Sequence, residues 1–511
     1  MIAARTLESV FKDALLNEYP AWAANVSIYH PYTGKPLPVR ETQITGLHDA
    51  LSQDNHRFGL YDTMGAGKSL IAYMYTAFHA GIGNRVLTIM PPKLLRQYKN
   101  NFYAMLKGVP VWMEVFHGTP KERAKLAAKW KNDPPQVICT SPEMFRRDPT
   151  FFSKTLGCDV LVGDEAKWVS NEDTKIGEAL DIFMGLPGER AALIMNGTPA
   201  RSDLLNLYGY IQFTSPFTYT GIEHFKRRHI NYDKFTTKVR LKSGREVRRQ
   251  IKKIVGYKHV DKIYENLYKR GRRVEMSPPT ETEVFYKEID LEDLHYATYR
   301  RLVEEKLLIF EDNSLIDITE AAKVRHSCMR AIFDPAFIKV DGEGAVLETT
   351  REMLEEIDLT KTKVLLCAYY QTTVESLVKA FENHGAVALY GKVTGSKAEA
   401  AKQRFLKDDS CRVMVINYES GGVGLDGLQD VCYTGISVEP TPIPGDFEQT
   451  LGRLARPGQT QGVNMWCLIA TGTIYKKIVN ERLRRQAAIS QVVKQHGRMT
   501  KEELRAELLG E

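Results

Sequence analysis

The sequence has few cysteines and no long apolar run. Its seven cysteines are scattered, with no pair two residues apart, so we expect reduced, unbridged thiols in a cytosolic setting and no zinc site. No apolar stretch approaches the length of a membrane span, and the N-terminal residues lack the apolar core and cleavage pattern of a signal peptide. Solenoid-period repeats and low-complexity segments are also missing from the sequence. The composition therefore favours a cytoplasmic globular protein without a membrane partner.

Charge is distributed unevenly along the 511 residues. Residues 221–275 carry eighteen Lys or Arg against six Asp or Glu, a surplus of twelve where the whole chain has a net charge of +7. Aromatic residues are interleaved with these cations, and a phosphate backbone is the natural counter-surface for such a segment. The alternative is a solvated charged insertion. Within the segment, residues 238–247 are predicted to form a hairpin with Ser243-Gly244 at the turn. The candidate DNA contacts of this segment are Arg248, Arg249, Lys252 and Lys253.

The run Asp62-Thr-Met-Gly-Ala-Gly-Lys-Ser69 predicts a phosphate-binding loop. A strand-like run precedes it and a helix-like run follows, so the loop is expected at a helix N-terminus, which favours an anion. Gly65, Ala66 and Gly67 are the candidate backbone contacts to ATP. Lys68 can reach the β and γ phosphates, and Ser69 can offer its hydroxyl to Mg²⁺.

A second element carries paired carboxylates. The apolar run of residues 158–163 predicts a buried strand that delivers Asp164 and Glu165 at its carboxyl end, where the catalytic groups of open α/β sheets gather. Asp164 is the candidate magnesium residue, and Glu165 is the candidate residue that orients or deprotonates the attacking water. The alternative is a solvated acidic turn.

Alternating strand-like and helix-like segments predict an α/β fold with two parallel-sheet domains in tandem. Residues 281–330 are predicted to be helical, and residues 341–344 to be a linker. The predicted domains are an N-terminal helical region, a first lobe, a basic and helical connection, a second lobe and a helical tail, at residues 1–56, 57–220, 221–340, 341–483 and 484–511.

The second lobe should supply cations of its own to a nucleotide. Arg453 and Arg456 are three residues apart, which on a helix lets both guanidinium groups point the same way. Such a pair can neutralise charge on a transferring phosphoryl group. A solvated helix face is the alternative for these two residues.

Seven motifs, in order from about residue 40 to residue 483, resemble those of Swi/Snf-type members of the superfamily 2 helicase-like DNA translocases. The segments that carry the resemblance are 62–69, 86–98, 137–143, Asp164-Glu-Ala-Lys167, Asn196-Gly-Thr-Pro199, Ser420-Gly-Gly-Val-Gly-Leu-Asp426 and 449–459. The resemblance implies two RecA-like lobes, ATP and Mg²⁺ as cofactors, and duplex or forked DNA as a partner bound without sequence preference.

Carried over by position, the resemblance also implies roles for single residues. Gln43 would contact the adenine, Gly424 and Asp426 would approach the nucleotide from the second lobe, and Arg453 and Arg456 would complete the site when the lobes close. The implied DNA contacts are small residues, hydroxyls and backbone donors suited to phosphates. They are Pro92, Lys93, Thr140, Ser141, Gly391, Lys392, Ser420 and Gly421.

Several residues depart from the family pattern. Lys167 replaces a histidine that often couples the acidic motif to the strand before Gly197-Thr-Pro199, and Asn196 is also unusual. These changes leave hydrolysis intact but put the coupling of ATP turnover to DNA movement in doubt. The sequence thus predicts a compact DNA-stimulated ATPase of bacterial or phage type. The alternatives are an RNA-unwinding or strand-annealing helicase, and a nucleotide-gated DNA-binding scaffold without productive turnover.

Overall fold

The computed structural model describes residues 4–31, 33–170, 175–200, 204–240, 246–276, 280–307, 318–393, 395–418 and 425–494. Contacts divide the chain into two compact units, one of residues 1–228 with 259–277 and one of residues 229–258 with 278–511. The predicted linker at residues 341–344 therefore lies inside the second unit. The five predicted domain boundaries stay predictions.

The first unit is built around a sheet of seven strands in the order β11-β2-β8-β7-β3-β6-β5, and every neighbouring pair is parallel. A two-stranded antiparallel pair of β1 and β4 lies apart from it. The strands are β1 (Ser27–Ile28), β2 (Arg57–Leu60), β3 (Val86–Ile89), β4 (Leu106–Lys107), β5 (Met113–Val115), β6 (Val137–Thr140), β7 (Val160–Gly163), β8 (Ala191–Met195) and β11 (Gly271–Arg272).

Helices cover the sheet of the first unit. They are α1 (Leu7–Asp13), α2 (Glu41–Leu51), α3 (Lys68–Gly81), α4 (Leu95–Met105), α5 (Pro120–Trp130), α6 (Pro142–Arg147), α7 (Lys175–Met184), α8 (Leu207–Thr214), α9 (Ile222–His229) and α10 (Val260–Tyr268). Apolar side chains of α1 and α2, including Val10, Phe11 and Leu47, are buried in the same core as those of α3 and β3. The N-terminal region is thus part of the first unit's core.

The second unit contains six parallel strands in the order β12-β17-β16-β13-β15-β14. They are β12 (Thr282–Ile289), β13 (Lys363–Ala368), β14 (Val387–Leu389), β15 (Val413–Asn417), β16 (Cys432–Ser437) and β17 (Val463–Ala470). The helices are α11 (Asp293–Leu307), α12 (Ile318–Phe333), α13 (Ala345–Glu356), α14 (Gln371–Ala380), α15 (Ser396–Lys407), α16 (Pro444–Leu454) and α17 (Ile474–Lys494). Two parallel sheets in tandem confirm the predicted fold class.

One part of the sequence prediction is wrong: residues 281–330 are not helical throughout. Thr282–Ile289 forms the edge strand β12, which pairs with β17 from Thr282 opposite Val463 to Ile289 opposite Ala470. Its β-branched and aromatic residues suit a strand, and the hydrogen bonds that select this form come from a segment about 180 residues later in the chain.

The basic segment forms a long antiparallel ribbon of β9 (Ile230–Arg240) and β10 (Glu246–Tyr257). The register pairs Arg240 with Glu246, so the ribbon turns within residues 241–245. The predicted turn at Ser243-Gly244 lies outside the described residues. Among the described helices, none is both long enough and apolar enough to cross a membrane.

Candidate functional site

The loop between β2 and α3 has the backbone of a phosphate cradle. Gly65 and Gly67 adopt left-handed conformations, with φ of +78° and +86°, and α3 begins directly after Gly67 at Lys68. A Cβ at Gly67 would lie 2.1 Å from Gln43 Nε2, so glycine is required there both for its conformation and for space. The free amides at the start of α3 face the position where an anion would bind.

Lys68 lies along this loop. Its ammonium donates to the carbonyl oxygens of Asp62, at 2.6 Å, and Thr63, at 3.0 Å. Burial lowers the pKa of Lys68, and the nearby carboxylates of Glu165, Asp62 and Asp164 oppose that effect. The lysine is therefore placed between the loop and the acidic motif, where a phosphate group would be bound by both its charge and the amides of α3.

Ser69 and Ala66, which flank Gly67 and Lys68, differ in exposure. Ser69 is exposed in the first turn of α3, so its hydroxyl is accessible to a metal ion. Ala66 is buried, and its N–H donates to the Thr63 carbonyl. Ala66 is therefore packed inside the protein between two partly exposed glycines, Gly65 and Gly67.

Gln43 is packed directly against the loop. It lies in the first turn of α2, is 3% exposed, and donates from Nε2 to the Gly67 carbonyl at 3.3 Å. Its Oε1 accepts from the Arg40 N–H at 2.9 Å, and the Arg40 guanidinium donates to the Gly65 carbonyl at 3.0 Å. The structure thus brings Gln43 to the phosphate loop, while its contact with adenine stays a prediction. Arg40 was not identified from the sequence, although its place three residues before Gln43 marks it as the helix N-cap.

The paired carboxylates follow β7 at the same sheet edge as the loop. The Asp164 N–H donates to the Ile89 carbonyl of β3, and Asp164 Oδ1 accepts from the Glu165 N–H, both at 2.9 Å. Both carboxylates are half-buried. Glu165 has a φ of +45°, a left-handed conformation that is unfavourable for a residue with a side chain.

The oxygen donors fit Mg²⁺. Ser69 and Asp164 supply one hydroxyl and one carboxylate, which are hard ligands of the kind that Mg²⁺ prefers. Within the described part of the chain, no three His, Cys, Asp or Glu residues cluster as a metal site. A magnesium ion held by these two groups would take its other ligands from phosphate oxygens and water, as Mg²⁺ in phosphoryl-transfer sites does.

A short segment after α10 also contacts the phosphate loop, and no pattern in the sequence predicts this contact. Arg272 of β11 pairs with Asp62, with Nη2 2.8 Å from Oδ2, and also donates to the Thr42 carbonyl. Asp62 Oδ1 accepts from the Val274 N–H at 2.8 Å, and Arg273 donates to the carbonyls of Tyr61 and Gly197 at 3.3 Å. Two cations counted in the basic segment thus hold the nucleotide loop.

In the second unit the candidate arginines converge on one carboxylate. Arg456 Nη1 lies 2.5 Å and Arg453 Nη1 3.5 Å from Asp426 Oδ1. Burial raises the pKa of Asp426, but the charges of Arg456 and Arg453 outweigh it and hold that pKa at about 2. The helical spacing assumed for this pair is wrong, because α16 ends at Leu454 and Arg456 lies in the turn that follows, yet both guanidinium groups point to the same carboxylate. Gly458 continues that turn with a φ of +105°.

The DNA contacts implied by the resemblance fall into two groups. Pro92, Lys93, Gly391 and Lys392 are exposed in short connections after β3 and β14, and Lys392 pairs with Glu375 at 2.8 Å. Thr140 and Ser141 are buried instead. The Thr140 hydroxyl donates to the Phe116 carbonyl at 3.0 Å, and that of Ser141 caps α6. Contrary to the expectation of phosphate-facing hydroxyls, these two are engaged within the protein. Gly424, Ser420 and Gly421 lie outside the described residues.

The ribbon register separates the four candidate cations of β10. Positions that pair across an antiparallel ribbon share a face, and neighbours along a strand alternate. Arg248 is opposite Lys238 and Lys252 is opposite Lys234, whereas Arg249 and Lys253 occupy positions on the other face. The register therefore places Arg248 and Lys252 opposite other lysines, and Arg249 and Lys253 at the alternate positions, opposite Thr237 and Asp233.

Comparison with known proteins gives matches to ATP-dependent helicases and chromatin factors. The chain is 22% identical over 476 residues to an uncharacterized ATP-dependent helicase of Mycoplasma pneumoniae, covering 90% of this chain and 42% of that protein. It is 23% identical over 492 residues to human SWI/SNF-related matrix-associated actin-dependent regulator of chromatin subfamily A member 1, covering 90% and 44%. The chain thus spans about two fifths of the length of these relatives.

A shorter match and a solved structure are also similar to parts of this chain. The chain is 28% identical over 180 residues to the rice DNA repair and recombination protein RAD54, covering 33% of this chain and 18% of that protein. A Sulfolobus solfataricus SWI2/SNF2 ATPase core in complex with dsDNA aligns with 94% of this chain and 98% of its own, at 18% identity and a TM-score of 0.38. The model of the SNF2-related domain matches residues 43–333, more than half of the sequence. The chain therefore belongs to the SNF2-related domain family.

Proposed function

We propose that the protein is a DNA-stimulated ATPase that moves along duplex or forked DNA without sequence specificity, in replication, recombination or repair. One observation supports the ATPase activity in this proposal. Gln43, the phosphate loop and the Asp164–Glu165 pair meet at one sheet edge, with Lys68 between the loop and the carboxylates. Membership of the SNF2-related domain family and the names of the relatives support ATP as the nucleotide and DNA as the partner.

The residues of the candidate site would have separate roles in hydrolysis. The amides at the start of α3 and Lys68 bind the phosphates, while Ser69 and Asp164 would hold Mg²⁺, which neutralises developing charge on the phosphoryl group. Glu165 orients the attacking water and takes its proton. The second unit would contribute Arg453 and Arg456. To bind a phosphate, their guanidinium groups must either break their ion pairs with Asp426 or keep these pairs while they also contact the phosphate.

Phosphate release should be measured without nucleic acid and with duplex DNA, single-stranded DNA and RNA. Strong stimulation by duplex or forked DNA supports the proposal. Stimulation mainly by RNA would favour an RNA helicase, and binding of ATP and DNA without turnover would favour a nucleotide-gated scaffold.

Two variants then test the site. Lys68→Ala should lose phosphate binding, whereas Glu165→Gln keeps the size of the side chain and should bind ATP without turning it over. Substantial DNA-stimulated hydrolysis by either variant would contradict the assignment.

The ribbon offers a matched test of DNA contact. Arg248→Gln with Lys252→Gln neutralises two cations that are paired in register with Lys238 and Lys234, and Arg249→Gln with Lys253→Gln neutralises two that are paired with Thr237 and Asp233. Each lost phosphate contact should lower the log-log salt slope of duplex binding by about 0.9. We expect the first pair to lower the slope more than the second, equally on two unrelated duplexes. Unchanged slopes for both pairs would identify the segment as a solvated insertion.

A further inference from the structure

A buried tyrosine hydroxyl connects two motifs of the first unit. Tyr210 lies on α8 and is fully buried. Its hydroxyl donates to the Ala166 carbonyl at 2.9 Å and accepts from Asn196 Nδ2. Asn196 Oδ1 in turn accepts from the Thr198 N–H at 3.0 Å. A backbone N–H can only donate, so it fixes the orientation of the Asn196 amide and the direction of the whole chain of hydrogen bonds.

One end of this chain holds the backbone next to Glu165. Glu165 is in the left-handed region, and such a conformation persists only where the surroundings impose it. Ala166, the next residue, is fully buried and is held on both sides. Its N–H donates to the Met195 carbonyl at 2.9 Å, and its carbonyl accepts from Tyr210. Met195 thus holds the peptide unit that joins Glu165 to Ala166, and Tyr210 holds the next one. The direction of the Glu165 side chain therefore depends on Ala166, whose backbone the tyrosine helps to fix.

The other end reaches the phosphate loop. A Cβ at Gly197 would lie 3.4 Å from Lys68 Nζ, so the turn that Asn196 stabilises packs against the lysine. The ring of Tyr210 also meets Tyr61, which precedes the loop, edge to face at 5.6 Å between centroids. A shift of this turn on gain or loss of a phosphate would thus be passed to Ala166 through hydrogen bonds that lie out of water, where they are strong.

We propose that Tyr210 is a positioning residue that couples the Asn196–Pro199 turn to Glu165, so that the phosphate loop and the hydrolytic carboxylate change state together. The replacement of the family histidine by Lys167 put in doubt the coupling between the acidic motif and this turn. Asn196 and Tyr210 make that connection here. This inference rests on the proposed ATPase activity. Tyr210 contacts no reacting atom, so its loss should affect the rate of turnover rather than the binding of nucleotide.

Tyr210→Phe removes the hydroxyl and keeps the ring. Loss of a hydrogen bond that leaves buried groups unpaired is expected to lower DNA-stimulated kcat by about tenfold, with KM for ATP changed by no more than about twofold. Without nucleotide, the amides of residues 164–168 should exchange faster with solvent, which reports the coupling independently of turnover.

Asn196→Thr should reproduce this result, since a threonine hydroxyl can still accept from the turn but offers no amide donor to Tyr210. Because both residues act in one chain, the double variant should be no slower than the slower single variant. The matched control is Tyr75→Phe on α3, a buried tyrosine of the first unit that is not part of this chain of hydrogen bonds. It should leave kcat, KM and amide exchange unchanged.

Three results would overturn the inference. They are a kcat of Tyr210→Phe within about twofold of the wild type, a double variant whose fold-loss in kcat is the product of the two single losses, or a loss of kcat in Tyr75→Phe equal to that in Tyr210→Phe. A wild-type protein without DNA-stimulated ATPase activity would instead contradict the proposed function. The amide exchange of the variants would still decide, in that case, whether Tyr210 holds the acidic motif.

Discussion

Two arginine–aspartate pairs, whose arginines are two residues apart in the chain, should differ widely in their effect on stability. Arg272 and Asp62 are 14% and 1% exposed at their side chains, whereas Arg270 and Asp54 are 20% and 82% exposed. Removing one member of a buried pair leaves an uncompensated charge and costs about 3 kcal/mol or more. An exposed pair contributes about 0–1 kcal/mol. Arg272→Ala should therefore destabilise the first unit far more than Arg270→Ala.

For a unit of this size, each kcal/mol shifts Tm by about 2–4 °C, so Arg272→Ala should lower Tm by about 6–12 °C and Arg270→Ala by at most about 4 °C. Tryptophan fluorescence can follow the transition, because Trp22, Trp112, Trp130 and Trp168 belong to the first unit and only Trp466 to the second. Adding Asp62→Asn to Arg272→Ala should recover part of the loss, since the amide can still accept from Val274 without a buried charge. Equal shifts for the two arginine variants would refute the argument from burial.

Three further predictions concern single residues. Gly67→Ala forces a left-handed alanine, which costs about 1–2 kcal/mol, and a Cβ 2.1 Å from Gln43 Nε2, so calorimetric titration should show weaker ATP binding; unchanged affinity would contradict the cradle. Arg456→Ala removes the shorter of the two ion pairs of Asp426 and should lower DNA-stimulated turnover by about 10³-fold or more with little change in ATP affinity. A loss confined to affinity would argue against a transition-state role. Glu439 is fully buried, and burial raises its pKa from 4.5 to about 7, so its neutral form is favoured in the fold and stability should fall as pH rises from about 4.5 to about 7. Glu439→Gln should remove this pH dependence and be more stable than the wild type at pH 8 by about 3 kcal/mol. Parallel curves of Tm against pH for the variant and the wild type would contradict the assignment to Glu439.

Local sequence determined the elements that carry the chemistry. The loop of residues 62–69 was predicted because glycine spacing and a following helix are both properties of neighbouring residues. The strand before Asp164 and most strands of the two sheets were likewise predicted from short apolar runs, because parallel strands covered by helices are buried on both faces. Placement of the phosphate loop and the acidic pair at one edge followed from the rule that parallel strands share their carboxyl ends.

Tertiary structure decided what holds these elements in place. Arg272 binds an aspartate 210 positions earlier, and Tyr210 binds a carbonyl 44 positions earlier, so no local pattern marks either residue. Composition assigned Arg272 to a nucleic-acid surface because charge alone does not distinguish a buried ion pair from a solvated one. Residues 282–289 became a strand because β17 supplied hydrogen-bond partners from far along the chain. Spacing in the sequence sets which groups are available, and only the packing of distant segments sets which of them meet.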